Sequence, residues 1–349
     1  MDVIITVTAT VVDQLQKPTL AFLIGGMLLA SLGSKLEVSE PVYKFVVMLL
    51  LLKVGLGAGI SVREATLTAL IVPAICAAIV GILIALIGGS TLAKWRGVSQ
   101  TDGFATAGLF GAVSASTLAA AMAILDDERV AYEGFIGALY PFMDIAALVT
   151  AIVLAKLAMA RRTASTQHNG TMALGGTPRG TVEDGLLKGI LIDTVRSPAI
   201  SALLIGLTIG IFAEPDSVYD SFYEPLFRGL LSILMLIMGM EAWARLSELR
   251  KVAHAYIAYG LAAPLVHGLL GFGAGLMAHE LTGFSAGGVI LLAVMAASSS
   301  DISGPPTMRA ALPEANPSAY VGSSTGLGTP VAILSIPLWM ALADMLIGL

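Results

Sequence analysis

The chain alternates long apolar stretches with short polar ones. A membrane helix needs about 20 apolar residues to cross the hydrocarbon of a bilayer. Ten runs qualify as expected spans: residues 18–33, 41–60, 66–92, 101–125, 132–158, 197–213, 225–243, 252–278, 284–311 and 316–346. The first and sixth are short, which suits little tilt or a thinned bilayer. A β-barrel strand would alternate apolar and polar residues over about ten positions, and these runs do not alternate. The one long polar stretch, 159–196, holds "RRTASTQHNGTMALGGTPRGTVED" and reads as a flexible linker. It separates a first group of five spans (1–158) from a second (197–349).

The two groups resemble each other. "PTLAFLIGGMLLASLG" from Pro18 is similar to "PAISALLIGLTIGIF" from Pro198, and "VVMLLLLKVGLGAGISVRE" from Val46 to "LLSILMLIMGMEAWARLSE" from Leu230. Pro73 and Pro264 occupy similar places in spans three and eight, and Pro141 and Pro330 in spans five and ten. "GAVSAST" (Gly111 to Thr117) in span four matches "MAASSSD" (Met295 to Asp301) in span nine. Five spans is an odd number, so the second copy must enter the membrane from the opposite face. That is an inverted repeat, a plan common among secondary transporters.

Charge sets the expected orientation. Of the 19 Lys and Arg, 13 fall in alternate connections: Lys35, Lys94, Arg96, Lys156, Arg161, Arg162, Arg179, Lys188, Arg196, Arg245, Arg250, Lys251 and Arg309. The opposite connections hold Lys17, Arg63, Arg129 and Arg228, and Lys44 and Lys53 lie inside span two. The excess places the first set in the cytoplasm, with both termini outside. No secretory signal is expected from the start of the chain, where threonines interrupt the apolar residues Val3 to Val12 and no basic flank precedes them.

Composition narrows the function. The chain is 56% hydrophobic and 12% charged, against roughly 25% charged in a soluble domain. A net charge of −5, carried mostly between the apolar runs, argues against nucleic-acid binding. The single cysteine, Cys76, excludes an internal disulfide. His168, His254, His267 and His279 have no metal-ligand spacing. No Walker loop and no Ser-His-Asp or HExxH signature is present. Neither an enzyme nor a cofactor is expected.

Spans four and nine each carry a polar interruption near the middle. "FGAVSAST" holds Phe110, Gly111, Ser114, Ser116 and Thr117, and "SSSDISGPP" holds Ser298, Ser299, Ser300, Asp301, Ser303 and Gly304. Pro305 and Pro306 have no amide donor, so a helix cannot run through them unbroken. Non-helical backbone at membrane depth is tolerated only where it is packed in protein or lines a cavity. Two such breaks at matching positions point to one midplane site. Half-helix N-termini suit a small anion. Carbonyls, hydroxyls and the Asp301 carboxylate suit Na+. The same small, hydroxylated residues also allow helices to pack closely. Asp144 can serve that cavity or cap its own span. Thr325 and Thr329 can line the path or pack, Glu241 and Arg245 read as an i, i+4 ion pair, and His267 reads as a helix contact.

The motifs "QLQKPTLAFLIGGM", "GLFGAVSASTLAAAM", "GALYPFMDIAALVTAIV", "YEPLFRGLLSILMLIMGMEAWAR", "ASSSDISGPPT" and "ANPSAYVGSSTGLGTPVAI" together resemble the sodium-dependent bicarbonate transporters of cyanobacteria, over nearly the whole chain outside 159–190. The resemblance implies an all-α membrane protein of ten transmembrane helices in two inverted five-helix repeats. Broken crossing helices in spans four and nine would belong to a core domain, beside a separate gate domain. It implies Na+/HCO3− symport by elevator-type alternating access in a CO2-concentrating mechanism of the inner membrane. It also implies a homotrimer, and a cytoplasmic PII-like regulatory protein that binds adenine nucleotides. On this reading Phe110, Gly111, Ser114, Ala115, Ser116, Thr117 and Ser300 take the bicarbonate. Asp301, Ser298, Ser299, Ser303 and the backbone at Gly111 take Na+ as coupling ion, and Asp144, Thr325 and Thr329 are secondary candidates. Two other readings stand beside it: another cation-coupled anion symporter or Na+/H+ antiporter of this plan, and a receptor that signals through its cytoplasmic loops.

Overall fold

In a computed structural model, residues 18–64, 67–168, 192, 195–249 and 254–349 are described, and among them there are helices and no strands. In chain order these are α1 (Pro18–Ser31), α2 (Glu40–Glu64), α3 (Leu67–Leu92), α4 (Gln100–Gly111), α5 (Ala115–Asp127), α6 (Tyr140–His168), α7 (Pro198–Phe212), α8 (Glu224–Leu249), α9 (His254–Thr282), α10 (Ala286–Ala297), α11 (Gly304–Ala311), α12 (Pro317–Ser323), α13 (Thr329–Leu334) and α14 (Ile336–Ile347). A 3-10 turn, Gly134–Leu139, leads into α6, and a π turn, Ser324–Gly328, joins α12 to α13.

Seven stretches are long and apolar enough to cross a membrane: Glu40–Arg63, Thr68–Leu92, Gln100–Asp127, Gly134–Ala160, Asp216–Leu246, His254–Thr282 and Pro317–Ile347. Pro18–Ser31, Pro198–Phe212 and Ala286–Ala297 are apolar but shorter. One expected break and two differences from the expected spans have local causes. The run 284–311 is two helices, α10 and α11, because Pro305 and Pro306 begin a new helix rather than continue one. The run 316–346 is three helical pieces, with Ser335 at the second junction taking a hydrogen bond from Trp339 Nε1 (2.9 Å). The expected linker begins helical: α6 runs on to His168, since no Gly or Pro interrupts the chain before Gly170. Most of that linker (169–191, 193–194), with Arg179 and Lys188, lies outside the described residues. So do residues 1–17, Arg250 and Lys251.

The helices form two groups. In one, α1 packs along α8 and α2 along α7, with α2 touching α8. Glycines permit the approach: a Cβ on Gly26 would sit 2.1 Å from Leu236 O, and one on Gly239 2.0 Å from Leu23 O. In the other, α3 packs on α4, α6 and α9, and α9 on α10. Every residue of α5 from Ala115 to Leu125, and of α10 from Gly287 to Ala297, is buried. The broken helices are therefore wrapped in protein, the condition under which a membrane chain tolerates free backbone groups.

Polar contacts close the ends. Arg63 pairs with Asp216 (3.2 Å) and Arg228 with Asp127 (2.5 Å). Glu133 accepts from Ser285 N–H and Oγ (2.7 and 2.8 Å). Elsewhere Asp102 accepts the N–H of Asn316 (2.7 Å). Each pair joins connections that the charge pattern puts on one side of the membrane. Lys53, inside α2 and only 5% exposed, pairs with Glu224 (3.0 Å), and its ammonium lies 4.2 Å from the Phe227 ring. Lys44 pairs with Glu40 (2.6 Å) and Arg245 with Glu241 (3.3 Å), each one helical turn apart.

Candidate functional site

The two interrupted segments cross and satisfy each other. Residues 112–114 leave helical geometry, with Ala112 and Ser114 extended. Their donors find partners across the junction: Val113 N–H donates to Asp144 Oδ1 (3.1 Å) and Ser114 N–H to Ser298 Oγ (2.9 Å). From the other segment, Ser300 N–H donates to Leu109 O (2.8 Å) and Gly304 N–H to Ser300 Oγ (2.8 Å). Ser298 Oγ in turn donates to Met295 O (2.7 Å). A buried backbone donor left alone is costly, and here side chains replace the missing helical acceptors.

Three hydroxyl clusters surround the crossing. The first joins Ser114, Ser116 and Thr117 to Asp301. Thr117 Oγ1 and Thr117 N–H both donate to Ser114 Oγ (3.0 and 3.1 Å), Ser114 Oγ and Ser116 Oγ are 2.8 Å apart, and Ser116 Oγ donates to Asp301 Oδ2 (2.6 Å). The second surrounds Ser303: its Oγ donates to Asp144 Oδ2 (3.2 Å) and lies 3.0 Å from Ser300 Oγ and 3.4 Å from Tyr140 OH. The third joins Ser299 to span ten. Ser299 Oγ donates to Ser324 O (3.2 Å) and lies 3.3 Å from Thr329 Oγ1, and Ser324 Oγ donates to Ser300 O (3.2 Å).

These clusters divide the residues expected to act together. Asp301 meets Ser116, the residue assigned to the anion, while Ser303 and Ser299 point elsewhere, to Asp144 and to Thr329. Ser298 supports the backbone of Ser114. Phe110 and Ala115 are buried at the junction, where the Phe110 ring meets Tyr259 edge-on at 5.0 Å. Gly111 leaves no room for a side chain, since a Cβ would lie 2.8 Å from Ala147 Cβ. Thr325 is buried in the π turn. Tyr140 and Ser324 also border the crossing; each adjoins a residue the sequence singles out, Pro141 and Thr325, but neither is itself a candidate there. The π turn that presents Ser324 has no sequence signature of its own.

The half-helix ends differ from the expectation of free donors. At α5, Ser114 Oγ takes the Thr117 N–H, which leaves the N–H groups of Ala115 and Ser116 as the remaining first-turn donors. At α11 two prolines follow Gly304, so that end offers almost none. Asp301 Oδ1 is buried and has no hydrogen-bond partner. Neither Asp301 nor Asp144 has an ion-pair partner among the described residues. Asp301 also lines a cavity of about 870 Å³ with Tyr43, Lys44, Glu241 and Arg245. A buried carboxylate oxygen without a donor, beside hydroxyl oxygens, is a hard-cation ligand in waiting.

Long apolar helices around a buried polar crossing define a multi-pass membrane protein. The family model for the Na+-dependent bicarbonate transporter superfamily matches residues 18–344, and the chain belongs to that superfamily. The matched range takes in both breaks, all three hydroxyl clusters and the cavity. No curated protein matches the chain significantly.

Proposed function

We propose that the protein imports bicarbonate with Na+ through the crossing of α4–α5 and α10–α11. The observation that carries this is Asp301: one oxygen holds Ser116, the other is buried and unpartnered, and the residue lines the large cavity. Na+ binds at that free oxygen, with Ser116 and neighbouring backbone oxygens completing its shell. Bicarbonate lies against the start of α5, held by Ser114, Ser116 and Thr117 and approached by Ser300. At a potential of about 100 mV each Na+ moved inward gains about 2.3 kcal/mol and each bicarbonate costs the same, so for a one-to-one pair the Na+ concentration gradient supplies the work.

The inverted repeat is supported by a matched pair of helix contacts. The sequence equates Leu23, Gly26, Leu52 and Gly55 with Leu203, Gly206, Leu236 and Gly239. A Cβ on Gly26 would meet Leu236 O at 2.1 Å and one on Gly206 would meet Leu52 O at 2.8 Å. One on Gly239 would meet Leu23 O at 2.0 Å and one on Gly55 would meet Leu203 O at 2.3 Å. The helices α1, α2, α7 and α8 form the gate, and the broken helices move with the rest as an elevator core. The ten spans, the first repeat at 1–158 and the second at 197–349 follow from the same symmetry. Membership of the superfamily, with the resemblance to cyanobacterial transporters, supports an inner-membrane homotrimer, and the Lys and Arg distribution supports both termini outside. It also supports a role in CO2 concentration and control by a cytoplasmic PII-like protein that binds adenine nucleotides.

Proteoliposomes test the core of this reading, with Na+ and labelled bicarbonate varied independently. The wild type accumulates bicarbonate only with an inward Na+ gradient, and Asp301→Ala, inserted and monodisperse, accumulates none. Wild-type uptake by Asp301→Ala removes the assigned role. A second reading, Na+/H+ exchange, is favoured by one observation, the arrival of a second carboxylate, Asp144, at the crossing. It predicts Na+-driven proton movement with bicarbonate absent.

A further inference from the structure

The hydroxyls assigned to the anion have their protons committed elsewhere. Ser116 has one hydroxyl proton, and it goes to Asp301 Oδ2 at 2.6 Å. Ser116 Oγ therefore accepts in its 2.8 Å contact with Ser114, and Ser114 must donate there. Thr117 Oγ1 donates to Ser114 Oγ at 3.0 Å. The three protons point one way along the chain Thr117, Ser114, Ser116, Asp301. All four residues are buried at the crossing apart from Asp301, which is partly exposed on the cavity. A chain of this kind polarises as a unit. Arranged this way it presents oxygen lone pairs, not protons, to any ligand at the start of α5. Lone pairs repel an anion.

We propose that Ser116 is the coupling residue of the transporter, and that Na+ at Asp301 turns the Ser116–Ser114–Thr117 relay round so that its protons face the anion. This rests on the function proposed above and deepens it. A cation at Asp301 takes the carboxylate's negative charge and can accept a Ser116 lone pair. The Ser116 proton then leaves Asp301 and becomes a donor to bicarbonate, and Ser114 and Thr117 are free to reorient behind it. No covalent bond changes. Thr117 acts as a positioning residue, because it reaches Asp301 only through Ser114 and Ser116, while Ser114 also interacts with that carboxylate directly. By linkage the effect is reciprocal: bicarbonate tightens Na+ binding by the factor with which Na+ tightens bicarbonate binding.

Simple attraction between adjacent opposite ions also couples them, and the relay makes a different prediction for single substitutions. The measurement is equilibrium binding of labelled bicarbonate to the purified full chain, with Na+ present or replaced by choline. In wild type the ratio of the two dissociation constants is at least about tenfold. Ser116→Ala keeps the Asp301 carboxylate but removes one Na+ ligand, so it is measured at Na+ concentrations that saturate the variant, and there the ratio still falls towards one. Thr117→Val keeps shape and loses the last hydroxyl, and the ratio falls severalfold while Na+ binding survives. Each variant is first shown to be monodisperse and to bind Na+ by its stabilising effect on unfolding. If weaker bicarbonate binding in Ser116→Ala comes with the wild-type ratio, direct charge attraction does the coupling and the relay is wrong. A wild-type ratio of one also overturns it. Wild-type protein that binds no bicarbonate even with Na+ defeats the transport reading as well.

Discussion

Ser298 shows what a single hydroxyl does at this crossing. It donates to Met295 O and accepts from Ser114 N–H, so it ends α10 and supports the start of α5 together. Ser298→Ala strands a buried N–H, a loss of about 1–3 kcal/mol. Ser323→Ala makes a useful comparison, because Ser323 Oγ only bonds back to Ala319 O and Tyr320 O within its own helix. Thermal unfolding in detergent should fall clearly for Ser298→Ala and barely for Ser323→Ala. Equal shifts would mean that the crossing does not depend on this bond. At this scale the sequence is informative about residue type. Serines, glycine and two prolines inside an apolar run announce a break, and Asp301 among them announces a charge that needs a partner. Which hydroxyl faces which carboxylate is not legible. Asp144 reaches Val113 across 31 positions and Ser303 across 159, and only the folded chain brings them together.

Elements meet through glycine. Gly25 and Gly26 are neighbours in α1, yet a Cβ on Gly25 would touch nothing within 4 Å, while one on Gly26 would lie 2.1 Å from a backbone oxygen of α8. Gly26→Ala must push two helices apart, at about 1–3 kcal/mol. Gly25→Ala gains helix propensity, up to about 1 kcal/mol. Opposite signs of the change in melting temperature are expected, and a stabilising Gly26→Ala would refute the close α1–α8 packing. Apolar length and proline position revealed most helices because both act locally. The internal breaks of span ten were hidden, since "GSSTGLGTP" is as compatible with a plain packed helix as with a π turn. Its conformation depends on α8 and α9, which pack against that turn.

For the whole molecule, the question is what holds one arrangement of the two helix groups. The cavity at Asp301 is lined by residues 36–44, which precede and begin α2, and by Glu241 and Arg245 near the end of α8. The connections at the opposite ends of those helices are tied by Arg228–Asp127, which links the start of α8 to the end of α5. That bond joins the group containing α1, α2, α7 and α8 to a broken helix, so the core movement proposed above would break it. Arg228 is 64% exposed, and such a pair contributes at most about 1 kcal/mol. That is still about a fivefold change in the ratio of two states. In a Cys76→Ala background, Val38→Cys reports the opening of the cavity by its rate of reaction with an impermeant maleimide. Adding Asp127→Asn should slow that rate by up to about fivefold, because loss of the tie favours the state in which the cavity is closed. The effect should shrink in high salt, which screens the exposed pair in the parent protein as well. An unchanged rate at low salt would show that the apolar contacts of α5 with α8, not the ion pair, set the balance.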